Sequence, residues 1–542
     1  MIGAVRVHAS VMTEPRPDLV RDLLRPQAYG APPSARVSLR TTHASWVFLI
    51  GEEVWKVKRP VDFGFLDFRR LEDRRHCCAE EVRLNRRLAP GVYLGVEAVR
   101  LSRGHSIGGT GPIVDWAVHM RRLPDDASAA SLLGCGALDA GKLAALAARL
   151  AAFVAEVPAV PAAGERDVLQ RNVDENFAQV EPFVGDVVDA ATFEEVRAFQ
   201  LGALANHADR FAARVEEGRI REGHGDLRLE HVYFLPPPDG IVAIDCIEFN
   251  DRFRNGDTAG EAAFLAMELE AACRPDLAAA FLARFAEASD DFGLYGVLDF
   301  YLSYRAWVRG KIAAFLSSDP TADAALRARK RDEAHRDFAL ARSFSGVPVD
   351  APFVIVVGGM IGSGKSTLAE ALGRRLAAPV VSSDRTRKAL AGMGATDRGG
   401  QDLYTPEAVE RNYREVLRRA GQVLASGRGV ILDATFQARR WRRAAAELAS
   451  AAGARFAHVE TSCAEGEVLR ARLNERRTRP SVSDATDAEL EKIEGSYEPV
   501  EPDEPGPRVA VDTAGEPELA VASALDQLAR VGVGSADAQH PA

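Results

Sequence analysis

A glycine-rich stretch in the second half of the chain has the residue types and the spacing needed to bind phosphate groups. Residues 356–367 read VVGGMIGSGKST, in which Gly359 is followed after four residues by Gly364, Lys365 and Ser366. Glycines let the backbone wrap around an anion, the lysine reaches the outer phosphates, and the serine hydroxyl can bind Mg²⁺. The stretch therefore predicts a nucleoside triphosphate site, in which Lys365 also serves catalysis, formed by Gly359, Gly362, Ser363, Gly364, Lys365, Ser366 and Thr367.

Two carboxylates follow predicted strands near this loop. The apolar run 353–357 leads into the loop, Asp384 follows the next apolar run, and Asp433 ends the third. Because ligands bind at the carboxyl ends of strands in open α/β sheets, Asp433 is placed to orient Mg²⁺ and Asp384 to accept the proton of an acceptor hydroxyl. Arg387, one helical turn later, could bind an anionic group of the acceptor. The alternative is that Asp384 caps a helix and Arg387 is solvated.

Two arginines further along could close over a transferred phosphate. Arg472 and Arg476 share one face of a predicted helix, and residues 479–486 have the composition of a flexible lid. Arginines in that place would stabilise the developing charge and exclude water, so Arg476 is a candidate catalytic residue. A solvated basic face is the alternative. The stretches 359–367, 384–387, 432–435 and 483–485 resemble the zeta-toxin, gluconate-kinase and polynucleotide-kinase-like group of P-loop kinases, and this resemblance implies ATP as the phosphate donor.

A second possible site lies in the first half of the chain. Residues 223–231 read GHGDLRLEH, and the apolar run 241–244 then ends in Asp245. Phosphoryl transfer needs an oriented hydroxyl that loses its proton, which Asp226 could accept, and it needs a hard oxygen ligand for Mg²⁺, which Asp245 could supply. His224 is expected to have a structural role in this loop.

These residues resemble the aminoglycoside phosphotransferase family. Residues 54–60, 62–67, 84–90 and 245–251 further resemble a bacterial branch in which such a domain is fused to a P-loop ATPase. The resemblance implies that a lysine on the third strand holds the nucleotide phosphates. Periodicity cannot choose between Lys56 and Lys58, which share one strand face. The resemblance favours Lys56, with Glu81 as its carboxylate partner.

One residue departs from the pattern of that family. The fifth residue after Asp226 is His231, where the family has an asparagine that binds Mg²⁺. A neutral imidazole is a poorer ligand for Mg²⁺ than an amide oxygen. His231 is therefore a compromised metal ligand or a mark of a degraded kinase. Nearby carboxylates permit an acidic acceptor pocket, namely Glu248, Asp251, Asp257 and Glu261.

The elements that must position these residues predict two domains. Five strands, at 37–40, 45–50, 53–58, 92–101 and 113–122, followed by a mostly helical region, give the order found in protein-kinase-like enzymes. We therefore predict an α+β kinase-like domain over 1–345, with a strand lobe over about 30–123 and a helical lobe over about 124–342. A short Gly/Pro/Ser link separates it from an α/β P-loop domain with a parallel sheet over 352–532, and a flexible tail covers 533–542.

Composition limits the partners. The chain has 542 residues, 47% of them apolar, and a net charge of −10, which argues against a nucleic-acid-coating protein. No apolar run approaches the roughly 20 residues that span a bilayer. The amino terminus lacks the pattern of a signal peptide, and six scattered cysteines indicate reduced thiols, so we expect a cytoplasmic protein.

The sequence thus predicts an ATP- and Mg²⁺-dependent phosphotransferase with two nucleotide sites and small hydroxylated acceptors. One alternative is a regulatory switch that hydrolyses ATP while the kinase-like domain only binds a ligand, which His231 would favour. Another is a polynucleotide 5′-hydroxyl kinase, which draws on Asp384 and Arg387 but conflicts with the acidic net charge.

Overall fold

The computed structural model describes residues 16–42, 44–62, 64, 66–320, 322–346, 351–394, 397, 399–463 and 497–533. Its residues group into two units. The first unit is built from Met1–Asp139, Ala152–Glu268 and Tyr304–Ala339. The second is built from Ala140–Ala151, Leu269–Ser303 and Leu340–Ala542. None of the helices in the described ranges has the length and apolar character required to cross a membrane.

The first unit contains a six-stranded antiparallel sheet in which the order of strands is β1-β2-β3-β6-β4-β5. The five predicted strands are present. The sixth, β5, was missed because three residues are too few to show an alternating pattern. The strands are β1 Val37–Thr41, β2 Ser45–Ile50, β3 Glu53–Lys58, β4 Tyr93–Leu101, β5 His105–Ile107 and β6 Ile113–Arg121.

The β2–β3 hairpin fixes which way the lysines of β3 point. Gly51 has a φ of 56° at the turn, a left-handed conformation that favours glycine, and Val47 pairs with Lys56 across the two strands. The apolar residues that alternate with the lysines, Trp55 and Val57, are buried in the core together with Phe48. Lys56 and Lys58 therefore both lie on the opposite face from this core, because side chains alternate along a strand.

The remaining described elements up to residue 343 are helices and two short strand pairs. The helix of residues 71–85 packs against the sheet, because its residues Cys78 and Val82 are buried in one cluster with Val118 and Met120 of the sheet. The strands are β7 Ile220–Glu222, β8 Val232–Phe234, β9 Ile241–Ala243 and β10 Asn255–Asp257, where β8 pairs with β9 and β7 with β10. The helices are α1 Pro17–Leu23, α2 Leu71–Asn85, α3 Ala129–Gly134, α4 Ala140–Glu156, α5 Arg166–Val180, α6 Ala190–Asn206, α7 Ala208–Glu216, α8 Asp251–Arg254, α9 Thr258–Ala271, α10 Pro275–Ala288, α11 Leu298–Ser317 and α12 Ala324–Ser343.

The second unit contains a five-stranded parallel sheet in the order β12-β13-β11-β14-β15. The strand that enters the glycine-rich loop, β11, is central. Asp433 pairs with Val357 on one side and with Ser382 on the other, so the ends of three strands lie level. The strands are β11 Phe353–Gly359, β12 Val380–Ser382, β13 Val430–Asp433, β14 Arg455–Ser462 and β15 Arg508–Asp512.

Among the residues that the structure describes here, five helices accompany this sheet: α13 Lys365–Arg375, α14 Ser383–Leu390, α15 Pro406–Leu424, α16 Arg439–Ala451 and α17 Pro517–Arg530. Alternate residues of β11, Ile355 and Val357, are fully buried in one core together with Leu368 and Leu372 of α13. Because β11, which precedes the loop, and α13, which follows it, pack in this one core, both ends of the loop are held in position.

A segment that precedes the predicted domain boundary packs within the second unit. Glu287 of α10 accepts a hydrogen bond from the backbone N–H of Val380, 2.8 Å away, at the start of β12. Asp290 binds Arg419 of α15 with both carboxylate oxygens, at 2.5 and 2.8 Å. The predicted boundary at 345–352 remains a prediction, but part of the chain before it contributes to the packing of the parallel-sheet unit.

Candidate active sites

Lys56 lies between two carboxylates in the first unit. Its Nζ is 2.6 Å from Asp245 Oδ1 and 2.9 Å from Glu81 Oε1. The side chain of Lys56 is 16% exposed and that of Asp245 is 44% exposed, so this end of the cluster can be reached by a ligand. The contact expected between Lys56 and Glu81 is therefore present, and it includes the aspartate proposed to bind metal.

Lys58 has a different environment. Its side chain is fully buried and contacts Glu81 Oε2 at 2.7 Å, together with Glu248. Burial lowers the pKa of Lys58, but the charges of Glu248 and Glu81 outweigh burial and hold the pKa above its usual value. Lys58 is thus a charged structural lysine with no exposed surface, which leaves Lys56 as the one that a nucleotide could contact.

Asp245 is held in its charged form and in an unusual conformation. Burial raises its pKa, yet the charges of Lys56 and His231 lower it more, so the pKa lies well below its usual range. Its φ of 66° is left-handed, which is uncommon outside glycine, and its backbone N–H donates to Tyr93 Oη at 3.1 Å. Strain of this kind is maintained where the surrounding structure fixes a functional side chain.

The loop that carries Asp226 is fixed from several sides. Buried Glu261 accepts hydrogen bonds from the backbone N–H groups of His224 and Gly225, at 3.1 and 2.8 Å. His224 bonds the Ile244 carbonyl at 2.9 Å through Nε2, and burial lowers its pKa to about 4, so the ring is neutral at neutral pH. The Asp226 side chain is 31% exposed. His224 therefore has the expected structural role, and Asp226 is presented to solvent.

His231 lies between the two aspartates of this site. Its Nδ1 is 2.8 Å from the carbonyl oxygen of Asp226 and 3.6 Å from Asp226 Oδ2. Its Nε2 is 3.7 Å from Asp245 Oδ2. The structure thus brings Asp226, His231 and Asp245 together, and an oxygen of Asp245 that does not bind Lys56 is available for a cation. His231 Nε2 and Asp245 Oδ2, 3.7 Å apart, could serve as two ligands of a divalent ion.

The interpretation of nearby carboxylates as an acidic acceptor pocket finds no support. Glu248 pairs with buried Lys58, and Glu261 holds the loop. Asp257 makes a buried ion pair with Arg214 at 2.6 Å, and Asp251 pairs with Arg254. Glu248, Asp257 and Glu261 are buried and need these partners, because a charge in a low-dielectric interior is costly without one, whereas Asp251 is exposed.

The glycine-rich loop of the second unit has the conformation that its sequence predicts. Gly359, Gly362 and Gly364 have φ values of 140°, 81° and 82°. A Cβ atom at Gly359 would lie 2.4 Å from Thr461 Oγ1, so no larger residue fits there. Thr461 Oγ1 also contacts Ser363 Oγ at 2.6 Å, which ties the loop to β14. Helix α13 begins directly at Lys365 and presents its N-terminus to the loop.

Lys365, Ser366 and Asp433 meet at the level where β11 and β13 end. Lys365 Nζ donates to the Met360 carbonyl at 2.9 Å. Burial raises the pKa of Asp433 to about 6, while Lys365 and a hydrogen bond from Ser366 act in the opposite direction. A buried carboxylate next to a serine hydroxyl is a donor set that fits Mg²⁺, a hard cation that binds oxygen.

Asp384 and Arg387 lie on α14 and contact each other. Arg387 Nη1 donates to Asp384 Oδ1 at 2.6 Å, and its Nη2 donates to Ser383 Oγ at 3.3 Å. The guanidinium lies over the ring of Tyr404 at 4.7 Å, and Asn412 donates to the same Ser383 oxygen at 2.9 Å. Sequence reasoning missed Ser383, Tyr404 and Asn412, because no motif relates α14 to the residues that pack on it.

Some predicted residues lie outside the described part of the chain. Arg472, Arg476 and the lid of residues 479–486 fall within 464–496, and nothing is described for them. The described part holds no cluster of three or more His, Cys, Asp or Glu side chains suited to a metal ion. A cation at either site would therefore have few protein ligands and would complete its shell with phosphate and water oxygens, as Mg²⁺ usually does beside nucleotides.

The fold, an α+β unit together with a P-loop unit that has a parallel sheet, is that of an ATP-dependent phosphotransferase of the kinase class. Residues 354–500 match the family described as an AAA domain (AAA_33). The chain belongs to the same family as the uncharacterized proteins Rv2004c and MT2060 of Mycobacterium tuberculosis and Mb2027c of Mycobacterium bovis. It is 34% identical to each over 438 residues, which cover 79% of this chain and 83% of theirs.

Solved structures are similar to separate parts of the chain. A gluconokinase from Sinorhizobium meliloti is 25% identical, with a TM-score of 0.25, over 33% of this chain and 93% of its own. A putative aminoglycoside phosphotransferase from Ralstonia eutropha is 13% identical, with a TM-score of 0.35, over 58% of this chain and 95% of its own. A Plasmodium vivax ethanolamine kinase is 11% identical, with a TM-score of 0.36, over 56% and 82%.

Proposed function

We propose that the chain is an ATP- and Mg²⁺-dependent phosphotransferase with two nucleotide sites, each of which transfers the γ-phosphate to a hydroxyl group of a small molecule. One observation supports the proposal: each unit holds a lysine beside a carboxylate suited to metal, and each has a second carboxylate near them. In the first unit these residues are Lys56, Asp245 and Asp226. In the second they are Lys365, Asp433 and Asp384.

In the first unit, Lys56 holds the nucleotide phosphates and Glu81 keeps the lysine in place. Asp245 Oδ1 binds Lys56, and the other oxygen of Asp245, together with His231, would hold a divalent ion, which would supply positive charge to the phosphates. Asp226 accepts the proton of the acceptor hydroxyl. The acceptor oxygen then forms a bond to the γ-phosphorus while the bond to the β-phosphate oxygen of the departing ADP breaks.

In the second unit, the loop of residues 359–367 cradles the phosphates. Ser366 and Asp433 would hold Mg²⁺, and Lys365 neutralises the outer phosphates. Asp384 accepts the proton of the acceptor hydroxyl, and Arg387 orients Asp384 or binds an anionic group of the acceptor. Arg476 is proposed to close over the transferred phosphate.

The acceptors are proposed to be small hydroxylated metabolites. The net charge of −10 disfavours a nucleic-acid partner, because phosphate backbones bind to positively charged surfaces. Free thiols support a reducing compartment such as the cytoplasm, and they are found at Cys77, Cys78, Cys135, Cys246 and Cys273.

Counting nucleotides per chain tests the proposal. Titration calorimetry with a non-hydrolysable ATP analogue should give two nucleotides per full-length chain. Lys365→Ala should remove one of them, and Lys56→Ala should remove the other. A single nucleotide whose binding is unaffected by Lys56→Ala would contradict a nucleotide site in the first unit.

A second candidate is a regulatory switch in which the P-loop unit hydrolyses ATP and the kinase-like unit only binds a ligand. His231, at the position of a metal-binding asparagine in related kinases, favours it. Incubation with labelled ATP and a metabolite library separates the two functions. Acceptor-independent hydrolysis that Lys365→Ala abolishes and Asp226→Ala leaves unchanged would indicate the switch, and label transfer to a 5′-hydroxyl oligonucleotide would indicate a polynucleotide kinase.

A further inference from the structure

Lys311 of α11 carries a positive charge that no carboxylate of the described residues contacts. Its Nζ donates to two neutral oxygens of α5, Asn176 Oδ1 at 2.5 Å and Gln179 Oε1 at 2.8 Å. The charge of Glu175 acts on the lysine from further away, but Glu175 is already paired with Arg252 at 2.9 and 2.5 Å. Burial therefore lowers the pKa of Lys311 to about 8. The ammonium group is left without a negative charge of its own.

Two hydrogen-bond donors at this place are unused. An ammonium group has three N–H donors, and the two oxygens of α5 account for two of those of Lys311. Asn176 is 5% exposed, and its Nδ2 makes no hydrogen bond within the described residues. The Tyr304 hydroxyl is near this nitrogen without reaching hydrogen-bond geometry. Because an unpaired buried donor is costly, a carboxylate or phosphate group that accepts from both residues would be stabilising.

These donors lie next to the loop that carries Asp226. Arg305, the residue after Tyr304, donates from Nη1 to the Gly225 carbonyl at 3.1 Å, so this part of α11 contacts the loop directly. Tyr304 and Lys311 are two helical turns apart and share one face of α11. A long side chain on a helix is directed toward the N-terminus, so Lys311 extends back toward the level of Tyr304.

We propose that Lys311 and Asn176 form a subsite for an anionic group of the acceptor, a carboxylate or a phosphate, while Asp226 receives the acceptor hydroxyl. This inference rests on the proposed function, in which Asp226 accepts the proton of that hydroxyl. The acceptors of the first unit are then hydroxy acids or sugar phosphates rather than neutral polyols or polyamines. An anion at Lys311 supplies the missing charge and accepts from the third N–H of the ammonium group.

Nuclear magnetic resonance of the lysine side chains tests anion binding without relying on activity. The sequence has eight lysines, so a full-length chain that carries ¹³C at the lysine Cε gives few signals, and Lys311→Arg identifies that of Lys311. The chain also carries Lys365→Ala, so that the loop of the second unit does not compete for phosphate. D-mannonate, D-mannitol 1-phosphate and D-mannitol serve as probes, because they share one carbon skeleton and differ in the anionic group.

The two anions are expected to shift the Lys311 signal and to raise the measured pKa of Lys311 by about one unit or more, whereas mannitol should do neither. Lys330, which pairs with Glu333 at 2.5 Å, is the control whose signal should not move. A response to mannonate alone would assign a carboxylate subsite, and a response to the phosphate alone would assign a phosphate subsite. A Lys311 signal that responds to neither anion would overturn the inference.

Label transfer from ATP to the same probes, in the Lys365→Ala chain, tests the choice of acceptor. Transfer to the anionic probe that binds should exceed transfer to mannitol by about tenfold or more, the size expected for one hydrogen bond to a charged group. Lys311→Met should remove this preference by raising the KM of the anionic probe, and Lys330→Met should keep it. Equal transfer to mannitol and to the anions, unchanged by Lys311→Met, would overturn the inference and leave the proposed function standing. A first unit that neither binds the ATP analogue nor transfers label would show that the proposed function is wrong.

Discussion

At the scale of single residues, β3 carries two lysines with different surroundings. Lys56 reaches the exposed Asp245, whereas Lys58 is enclosed with Glu81 and Glu248. Glu81 contacts both lysines and so joins the site to the protein interior. The position of Lys56 therefore depends on the buried charge cluster of Lys58, Glu81 and Glu248.

Replacing Lys58 should lower the stability of the protein and should not remove a contact with the nucleotide. Lys58→Met removes the positive charge that pairs with the buried carboxylates of Glu81 and Glu248. We therefore expect the free energy of unfolding to fall by about 3–5 kcal/mol. Urea denaturation measures this loss. Lys56→Met, the matched variant on the same strand face, should lower nucleotide affinity with a smaller effect on stability. Equal stability of Lys58→Met and the unsubstituted chain would show that the buried cluster does not hold β3.

At the scale of elements, β11, β12 and β13 position the second site. These three strands end at the same level, so the glycine-rich loop, Asp433 and the start of α14 lie close together. The α10 segment supports β12 through Glu287, and Asp290 supports α15 through Arg419. The site thus depends on packing behind the sheet as well as on the loop itself.

The protonation of Asp433 predicts a metal effect that depends on pH. The pKa of Asp433 in the folded protein is about 6, above the ordinary value of 3.8. The protonated carboxyl group therefore favours the folded state at low pH, and this contribution to the free energy of unfolding is lost as pH rises through 6. Mg²⁺ should therefore raise the melting temperature more at pH 8 than at pH 5. Asp433→Asn should remove this difference, measured by differential scanning fluorimetry. Asp245, whose pKa lies well below its usual range, is charged at both pH values and adds no such dependence.

The contribution of the contact between Arg419 and Asp290 to the free energy of unfolding can be measured by comparison with a neighbouring arginine, Arg418. Arg419 has an 8% exposed side chain and binds both oxygens of Asp290, so Arg419→Ala should lower the free energy of unfolding by about 1–3 kcal/mol. Arg418, 53% exposed, serves as the control, and Arg418→Ala should change stability by about 0.5 kcal/mol or less. Similar losses in both variants would show that the Asp290 contact contributes little.

At the scale of the whole molecule, the chain combines two kinds of phosphate-handling architecture. The first unit has an antiparallel sheet with a helical region, and the second has a parallel sheet with a glycine-rich loop. Each carries its own lysine and carboxylates, so each site can be altered separately.

Asp226→Asn should remove phosphotransfer from the first unit and leave ATP binding to Lys365 and the loop intact, because these groups belong to different units. Label transfer and calorimetry on the full-length chain measure the two properties. Asp126→Asn, at an exposed position, is the control. Equal loss at both sites in Asp226→Asn would show that the assignment of one site to each unit is wrong.

Local patterns were sufficient to predict the loop of residues 359–367, the strands around it and Asp433. Such motifs act through backbone conformation and neighbours close in sequence, and the glycine φ values confirm the conformation of the loop. Five strands of the antiparallel sheet were predicted for the same reason. The three-residue β5 was missed, because so short a segment shows no periodicity.

The sequence by itself determined which residues are candidates for binding phosphate and metal, since residue type and local spacing set that chemistry. Only the tertiary structure decided that Lys58 is buried while Lys56 faces Asp245, because both occupy the same face of one strand and differ only in what packs above them. It likewise decided that His231 lies between two aspartates and that Asn412 supports Ser383. Contacts between residues far apart in the chain leave no pattern in a single sequence.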